Sequence, residues 1–395
     1  MTRQQLPPQI KKVEVLDRST GKPVVRYRVK VDVGANPVDG KRQQAKRHCK
    51  TEAEARKVLA ELQNRAHNGT YVSPSKITVD EVCANYIAGR HNLRPTSLSK
   101  LEYDLAPLRE QHGKLPVQKL TKKNVDQLVT DLVAGGTKTA KGRTRRPWSA
   151  VAINKTISSI DQVLGDALEQ KIVTTNVAAK VARVSVDHKD VDTYTAAEAE
   201  KLRKHFATDR LGHAWVLALY GLRRGEIAGL RWSDVDLEAK TLSIANNRVS
   251  AGGVTGENDP KSEASRRTLP MPDRLVGVLR AAKKRQTVER LAIGEHYGAG
   301  DYVVCNEAGE PYNPAVLSRY WANAVKAAGV RHIKLHGGRH TAATLMHLDR
   351  VPIAVIAAWI GHSDPTLTLK VYAHSQADAL KAAGQSLDRP NKSSG

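Results

Sequence analysis

The sequence predicts a multidomain, mainly α chain with small β-sheets. Three observations carry that reading. One stretch near the N-terminus, PVVRYRVKVD, alternates with period two, the signature of a half-buried strand. After it, apolar-striped segments open repeatedly on a Thr followed three residues later by Glu, the side-chain pattern that caps a helix N-terminus. At 395 residues the chain is also long enough for two or three domains rather than one.

In chain order, Val25, Tyr27, Val29 and Val31 form the apolar face of that strand, and Arg26, Arg28 and Lys30 the opposite face. KKVEVLD and QQAKRHC supply two flanking strands. Thr51 to Glu54 then opens a helix whose stripe is Ala55, Val58, Leu59, Leu62 and Ala66, and Gly69 stops it. A three-stranded sheet backed by one helix can lay basic strands in a major groove. Residues 78–182 read as all helix. Thr78 with Glu81 opens the first, Thr96 the next, Thr121 a third ended by Gly135, and a long helix runs from Ser149 to about Gln170. The loop before that long helix carries Lys138, Lys141, Arg143, Arg145 and Arg146. It reads either as a mobile segment that tracks phosphates or as a solvated tract. A polar linker follows, and Thr195 with Glu198 opens the last part. There, helices precede a strand pair around TLSIA and SRRTLPM. A helix from about Asp273, a short hairpin around DYVVCNEAGEPY and three more helices complete it, one starting at Asn313-Pro314.

Composition narrows the partners. Lys and Arg number 63 against 40 Asp and Glu, a formal net charge of +23. That excess favours a polyanion, nucleic acid first and an anionic membrane second. Aromatic residues are only 4%, which argues against a single-strand stacking platform and for duplex backbone recognition. Cys49, Cys83 and Cys305 are far apart and make no zinc pattern, so they read as reduced thiols. The N-terminus lacks an apolar signal core, and the longest apolar run, VPIAVIAAWI, is too short to span a bilayer. A cytoplasmic location, at the nucleoid, is expected.

The chemistry lies in the last part. Tyr372 follows His362 by ten residues in GHSDPTLTLKVYAH. A phenol with a pKa near about 10 is a poor nucleophile until cations and a base surround a phosphate it can attack. Upstream stand Arg223 in GLRRGE, Lys261 in NDPKSEASRRTLP, and His336 with Arg339 in HGGRH. Planar guanidinium groups suit the non-bridging phosphate oxygens, and an imidazole can accept the tyrosine proton near neutrality. Glu226, one helical turn after Arg223, can hold that arginine in place. Arg224 competes with Arg223 for the clamp, and Arg266 and Arg267 compete with Lys261 for DNA contact. His340 lies about 100° round a helix from Arg339 and reads as packing.

GLRRGEIAGLRW, HGGRH and GHSDPTLTLKVYAH, in that order, resemble the tyrosine recombinase (phage integrase) family over about residues 190–380. The helical segment resembles that family's core-binding domain. The first module resembles the arm-binding domain of actinobacterial phage and plasmid integrases. The resemblance implies an arm-type DNA-binding domain at 1–74, a core-binding helical domain at 75–183, a linker at 184–194 and an α-rich catalytic domain at 195–395. It implies Arg223, Lys261, His336, Arg339, His362 and Tyr372 as the catalytic set, with Glu226 supporting. Tyr372 would make a 3′-phosphotyrosyl link, Lys261 would protonate the leaving 5′-oxygen, and no ATP, metal or other cofactor would be needed. Arg26, Arg28, Lys30, Arg143, Arg145 and Arg146 would contact DNA. The partners implied are double-stranded DNA with core and arm attachment sites and a homotetramer passing through a Holliday junction; a host DNA-bending factor and an excisionase stay open. The chain departs from the family at Gly337-Gly338, where Asp-Leu is more usual, which removes a helix-capping carboxylate and adds flexibility. Rival readings are a chromosome-dimer resolvase, a tyrosine transposase, a type IB topoisomerase, and a DNA-binding regulator with a dead site.

Overall fold

The period-two stretch is the middle strand of an antiparallel sheet, ordered β1-β2-β3, in a computed structural model that describes residues 5–16, 21–35, 42–187, 191–251, 254–258 and 266–362. β1 spans Ile10–Leu16, β2 Pro23–Ala35 and β3 Arg42–Cys49. The helix α1, Glu52–His67, packs on one face through Ala55, Leu59 and Leu62, against Ile10, Val29, Val31 and Ala45. Thr51 caps it by accepting from the Glu54 amide, while the Glu54 carboxylate reaches back to the Lys50 amide at 2.7 Å rather than to Thr51. Val25, at the strand's outer end, is exposed.

Four helices follow: α2 Val79–Ala88, α3 Pro95–His112, α4 Lys122–Ala134 and α5 Ala150–Glu169. Capping boxes at Thr78 with Glu81 and Thr121 with Asn124 fix two of their starts. α3 begins two residues earlier than a Thr96 cap would place it, because Arg94 is the cap and Pro95 occupies the first helical position, where a missing N–H costs nothing. Leu105, Leu108, Leu128, Ile153, Ile157 and Ile160 fill the core between the helices. The chain forms two compact units, 1–187 and 188–395; the first holds both of these cores.

In the second unit, α6 Ala196–Phe206, α7 Gly212–Leu219 and the short α8 Arg224–Gly229 come first. β4 Val235–Asp236, β5 Thr241–Ile244 and β8 Arg267–Pro270 make a sheet in the order β4-β5-β8, pairing TLSI with RTLP as the sequence predicts. A separate hairpin, β6 Asn247–Ala251 with β7 Val254–Asn258, was not legible as strands. It packs on α8, where a Cβ on Gly225 would sit 1.9 Å from Asn247 Oδ1 and one on Gly229 would sit 3.0 Å from the Arg248 amide. α9 Asp273–Ile293, α10 Pro314–Ala327, α11 Leu335–Leu348 and α12 Ile353–Ile360 complete the described part. The expected hairpin near residue 305 is a tight loop closed by one bridge, Cys305 to Pro311. Trp215, Trp321, Phe206 and Tyr194 form an aromatic cluster in the core.

The ends of the expected linker are anchored. Val184 exchanges two hydrogen bonds with the Asn154 side-chain amide, both 2.8 Å. Tyr194 is 1% exposed, and its amide donates to Thr341 Oγ1 at 3.0 Å. Cys49, Cys83 and Cys305 are buried free thiols. No helix among the described residues is long and apolar enough to cross a membrane.

Candidate active site

The C-terminus of α12 organises the site. Gly361 is left-handed, at φ 62 and ψ 52, and ends the helix; its amide and that of His362 satisfy the carbonyls of Ala358 and Ala357. Among the described residues no helical amide donates to the next three carbonyls, which lie at the negative end of the helix dipole. Each receives an arginine. Arg267 Nε donates to Trp359 O at 2.7 Å, Arg339 Nη2 donates to Ile360 O, and Arg223 Nη2 donates to Gly361 O at 2.5 Å. Three segments distant in sequence thus meet immediately before His362.

Arg223 is the N-cap of α8, with extended backbone, and its side chain is about one-third exposed. A cation at a helix N-terminus opposes the dipole. Glu226, 4% exposed, offsets it by accepting from the Arg223 amide at 2.8 Å and from Arg223 Nη1 at 2.7 Å. Burial pushes the Glu226 carboxyl up, but Arg267 and then Arg223 outweigh it and hold it below the usual range. Arg224 turns away and donates to Ser318 Oγ on α10 at 2.9 Å. Geometry therefore separates two neighbouring arginines that composition alone does not.

Arg339 is 1% exposed and also donates to Gly221 O at 2.7 Å, two residues before Arg223. His336 stands in the first turn of α11, its outer edge exposed. The packing around its ring, then Arg339 and Arg223, lower its pKa. His362 is lowered to about 4 by burial, Arg339, Arg223, His336 and Arg267, in that order. Both imidazoles are therefore neutral at neutral pH and able to take a proton or share one with an anion. His340, read from sequence as packing, meets His336 edge-on with ring centroids 4.7 Å apart, an i,i+4 contact. Gly337 and Gly338 are buried in the first turn, and a Cβ on Gly337 would lie 2.1 Å from Ile333 Cγ2. Close packing, rather than flexibility, is what the two glycines provide.

The structure thus brings Arg223, Glu226, His336, Arg339 and His362 together; Lys261 and Tyr372 lie outside the described residues. Lys261 follows β7, whose Glu257 is bound by Arg231 at 2.9 Å and by the Tyr302 hydroxyl. Arg267 does not present itself to DNA as a rival of Lys261. It is 8% exposed and faces inward, with Nη1 and Nη2 on the two Glu226 oxygens at 3.1 and 3.0 Å. Sequence reading missed this role, because its register opposite Ile244 is set by the fold and not by any local pattern.

Among the expected DNA-contact residues, Arg28 and Lys30 are exposed on β2 and Arg26 is half-buried. Register adds neighbours that the sequence did not reveal: Lys11 and His48 flank Arg28, and Lys46 stands opposite Lys30. Lys11 opposite Arg28 and Lys46 opposite Lys30 are like charges paired across strands, which repel, so such a face gains when an anion covers it. The basic loop folds back on itself. It is a closed turn in which Lys138 bridges to Thr144 and the Thr139 amide donates to Arg143 O at 2.8 Å. Glu110 secures it, accepting from the Ala140 amide at 2.9 Å and pairing with Arg145. Arg145 is 9% exposed and also sits over the Trp148 ring, so it is structural, whereas Arg143 and Arg146 face solvent. Among the described residues no group of His, Cys, Asp or Glu is arranged to hold a metal ion.

An arginine pair and two histidines are gathered at one helix end in a helical unit with a small sheet, and the family model described as "Phage integrase family" matches residues 185–379, which contain them. Through this segment the chain belongs to the tyrosine recombinase (phage integrase) family. It is 31% identical over 198 residues to a tyrosine recombinase XerC-like protein of Caldanaerobacter subterraneus subsp. tengcongensis; the match covers 47% of this chain and 51% of that one, so it spans about half that relative's length. The fold is that of the Tn1549 transposon integrase bound to transposon right-end DNA, with TM-score 0.63, 19% identity, and 79% and 100% of the two chains covered. It is also that of a lambda integrase tetramer bound to a Holliday junction, with TM-score 0.54, 17% identity, and 93% and 96% covered.

Proposed function

We propose that the protein is a site-specific integrase of a phage or other mobile element, which cleaves and rejoins duplex DNA through a 3′-phosphotyrosyl intermediate and a Holliday junction. The observation that carries this reading is the meeting of Arg223, Arg339 and His362 at the α12 terminus, with neutral His336 beside them. The Tyr372 oxygen attacks phosphorus as His336 takes its proton. The bond to the 5′-oxygen breaks, and Lys261 supplies the proton that makes it a 5′-hydroxyl. Arg223, Arg339 and His362 donate to the non-bridging oxygens, where charge grows in the transition state. The bond energy is kept in the phosphotyrosine, so a 5′-hydroxyl from the second duplex reverses the step without ATP.

In the same reading the β1–β3 module holds arm sites, and the helical domain and the catalytic domain hold the core site, as a homotetramer in the cytoplasm. A duplex nicked close to the cleavage position tests it. Wild type should accumulate a covalent protein–DNA adduct, and Tyr372→Phe should form none. A wild type that binds the site but never forms adduct would instead be the regulator.

A further inference from the structure

The structure assigns Arg267 as a positioning residue for the phosphate clamp; we infer that it acts through Glu226 on Arg223 and through Trp359 on the end of α12. This inference rests on the function just proposed.

Three observations carry it. First, the Glu226 carboxylate has about four acceptor positions, and all are filled. Oε1 receives Arg223 Nη1 at 2.7 Å and Arg267 Nη1 at 3.1 Å. Oε2 receives the Arg223 amide at 2.8 Å and Arg267 Nη2 at 3.0 Å. Second, the same guanidinium reaches α12 through Nε, at 2.7 Å from Trp359 O. It therefore ties the helix that begins after Arg223 to the helix that ends before His362. Third, charge decides its effect. Arg223 and Glu226 alone sum to zero, which would blunt the field Arg223 presents to a phosphate. Arg267 restores a net single positive charge while sitting too deep to touch DNA itself, at 8% exposure. A lysine in its place would keep the charge but not the planar fork that spans both oxygens and the carbonyl.

Single-turnover adduct formation on the nicked duplex at saturating protein tests the inference, with duplex affinity measured alongside. Arg267→Met should slow adduct formation about 100-fold, as removal of one oxyanion donor does, with affinity within about threefold. Arg267→Lys should recover part of the rate. Adding Arg267→Met to Arg223→Ala should slow the reaction by much less than the product of the two single losses, because one of the two routes by which Arg267 acts runs through Arg223. A purely structural role would instead give multiplied losses. A folded Arg267→Met protein at the wild-type rate, or multiplied losses in the double variant, overturns the proposal. Should Arg267→Met not fold, the pair Glu226→Gln with Arg267→Met removes the buried carboxylate along with its partner. That pair should still lose at least about tenfold, and a wild-type rate in it overturns the proposal. Absence of any Tyr372-dependent adduct in wild type sinks the function reading instead. Amide exchange then decides the placement alone: protection at Gly361 and His362 should fall about tenfold or more in Arg267→Met if Arg267 holds that helix end, and unchanged protection overturns it.

Discussion

His213 lies on α7, in the core of the catalytic unit, at 4% exposure. Its Nε2 donates to Val303 O at 2.8 Å, and its Nδ1 accepts from Arg285. Burial first, then Arg285, lower its pKa to about 4. Unfolded, the same ring titrates near about 6.5. Between those values the unfolded chain binds a proton that the folded chain refuses, so stability is complete above about pH 6.5 and falls as pH drops towards 4. A shift of that size is worth about 3 kcal/mol. The melting temperature should therefore fall between pH 7 and 4.5, and His213→Gln should shrink the fall. An equal fall in both proteins would show that His213 is not its source. His340 and His362, also lowered to about 4, and His336, lowered as well, add to the fall in the same direction. Sequence reading grouped Arg223, His336 and Arg339, which the fold brings together, because chemistry restricts the choice there. It failed at Arg267, because nothing in a string of basic residues distinguishes an arginine that faces DNA from one that faces a buried carboxylate.

At the level of elements, capping signals located half of the described helix starts, at Thr51, Thr78, Thr121, Ser149, Thr195 and Asn313, since a side-chain acceptor close before an amide is a local property. The β6–β7 hairpin escaped because its packing depends on Gly225 and Gly229 of another element, which let a strand approach α8. The closed turn of the basic loop was not legible for a related reason. Its order comes from Glu110, thirty residues before the Ala140 amide it accepts from. The three-stranded sheet was legible from its alternation, but its cationic face became complete only with the register of Lys11 and Lys46. Replacing Arg26, Arg28 and Lys30 together by alanine should weaken arm-site binding and flatten its salt dependence, by about 0.9 in slope for each phosphate left without its cation. Core-site cleavage should stay nearly intact. Arm occupancy that footprinting finds unchanged would remove this face from the DNA-binding surface.

Across the molecule, the two units have separate cores, and Val184 and Tyr194 are each bonded within their own unit. Limited proteolysis should cut first between these two residues and release two fragments, each with a cooperative melt. The 188–395 fragment should carry every residue needed for Tyr372-dependent adduct formation, at reduced affinity for duplex. The 1–187 fragment should bind duplex and form no adduct. Adduct formed by the first unit alone would contradict the placement of the chemistry.

The arginines at the end of α12 meet consecutive peptide oxygens at 359, 360 and 361. Such an arrangement counts residues rather than reading side chains. One residue added or removed between Pro352 and Gly361 would swing the helix end by about 100° and offer each guanidinium the wrong neighbour. The stretch should accept many exchanges of one apolar side chain for another, yet almost no change in length, so any drift within it must preserve its spacing.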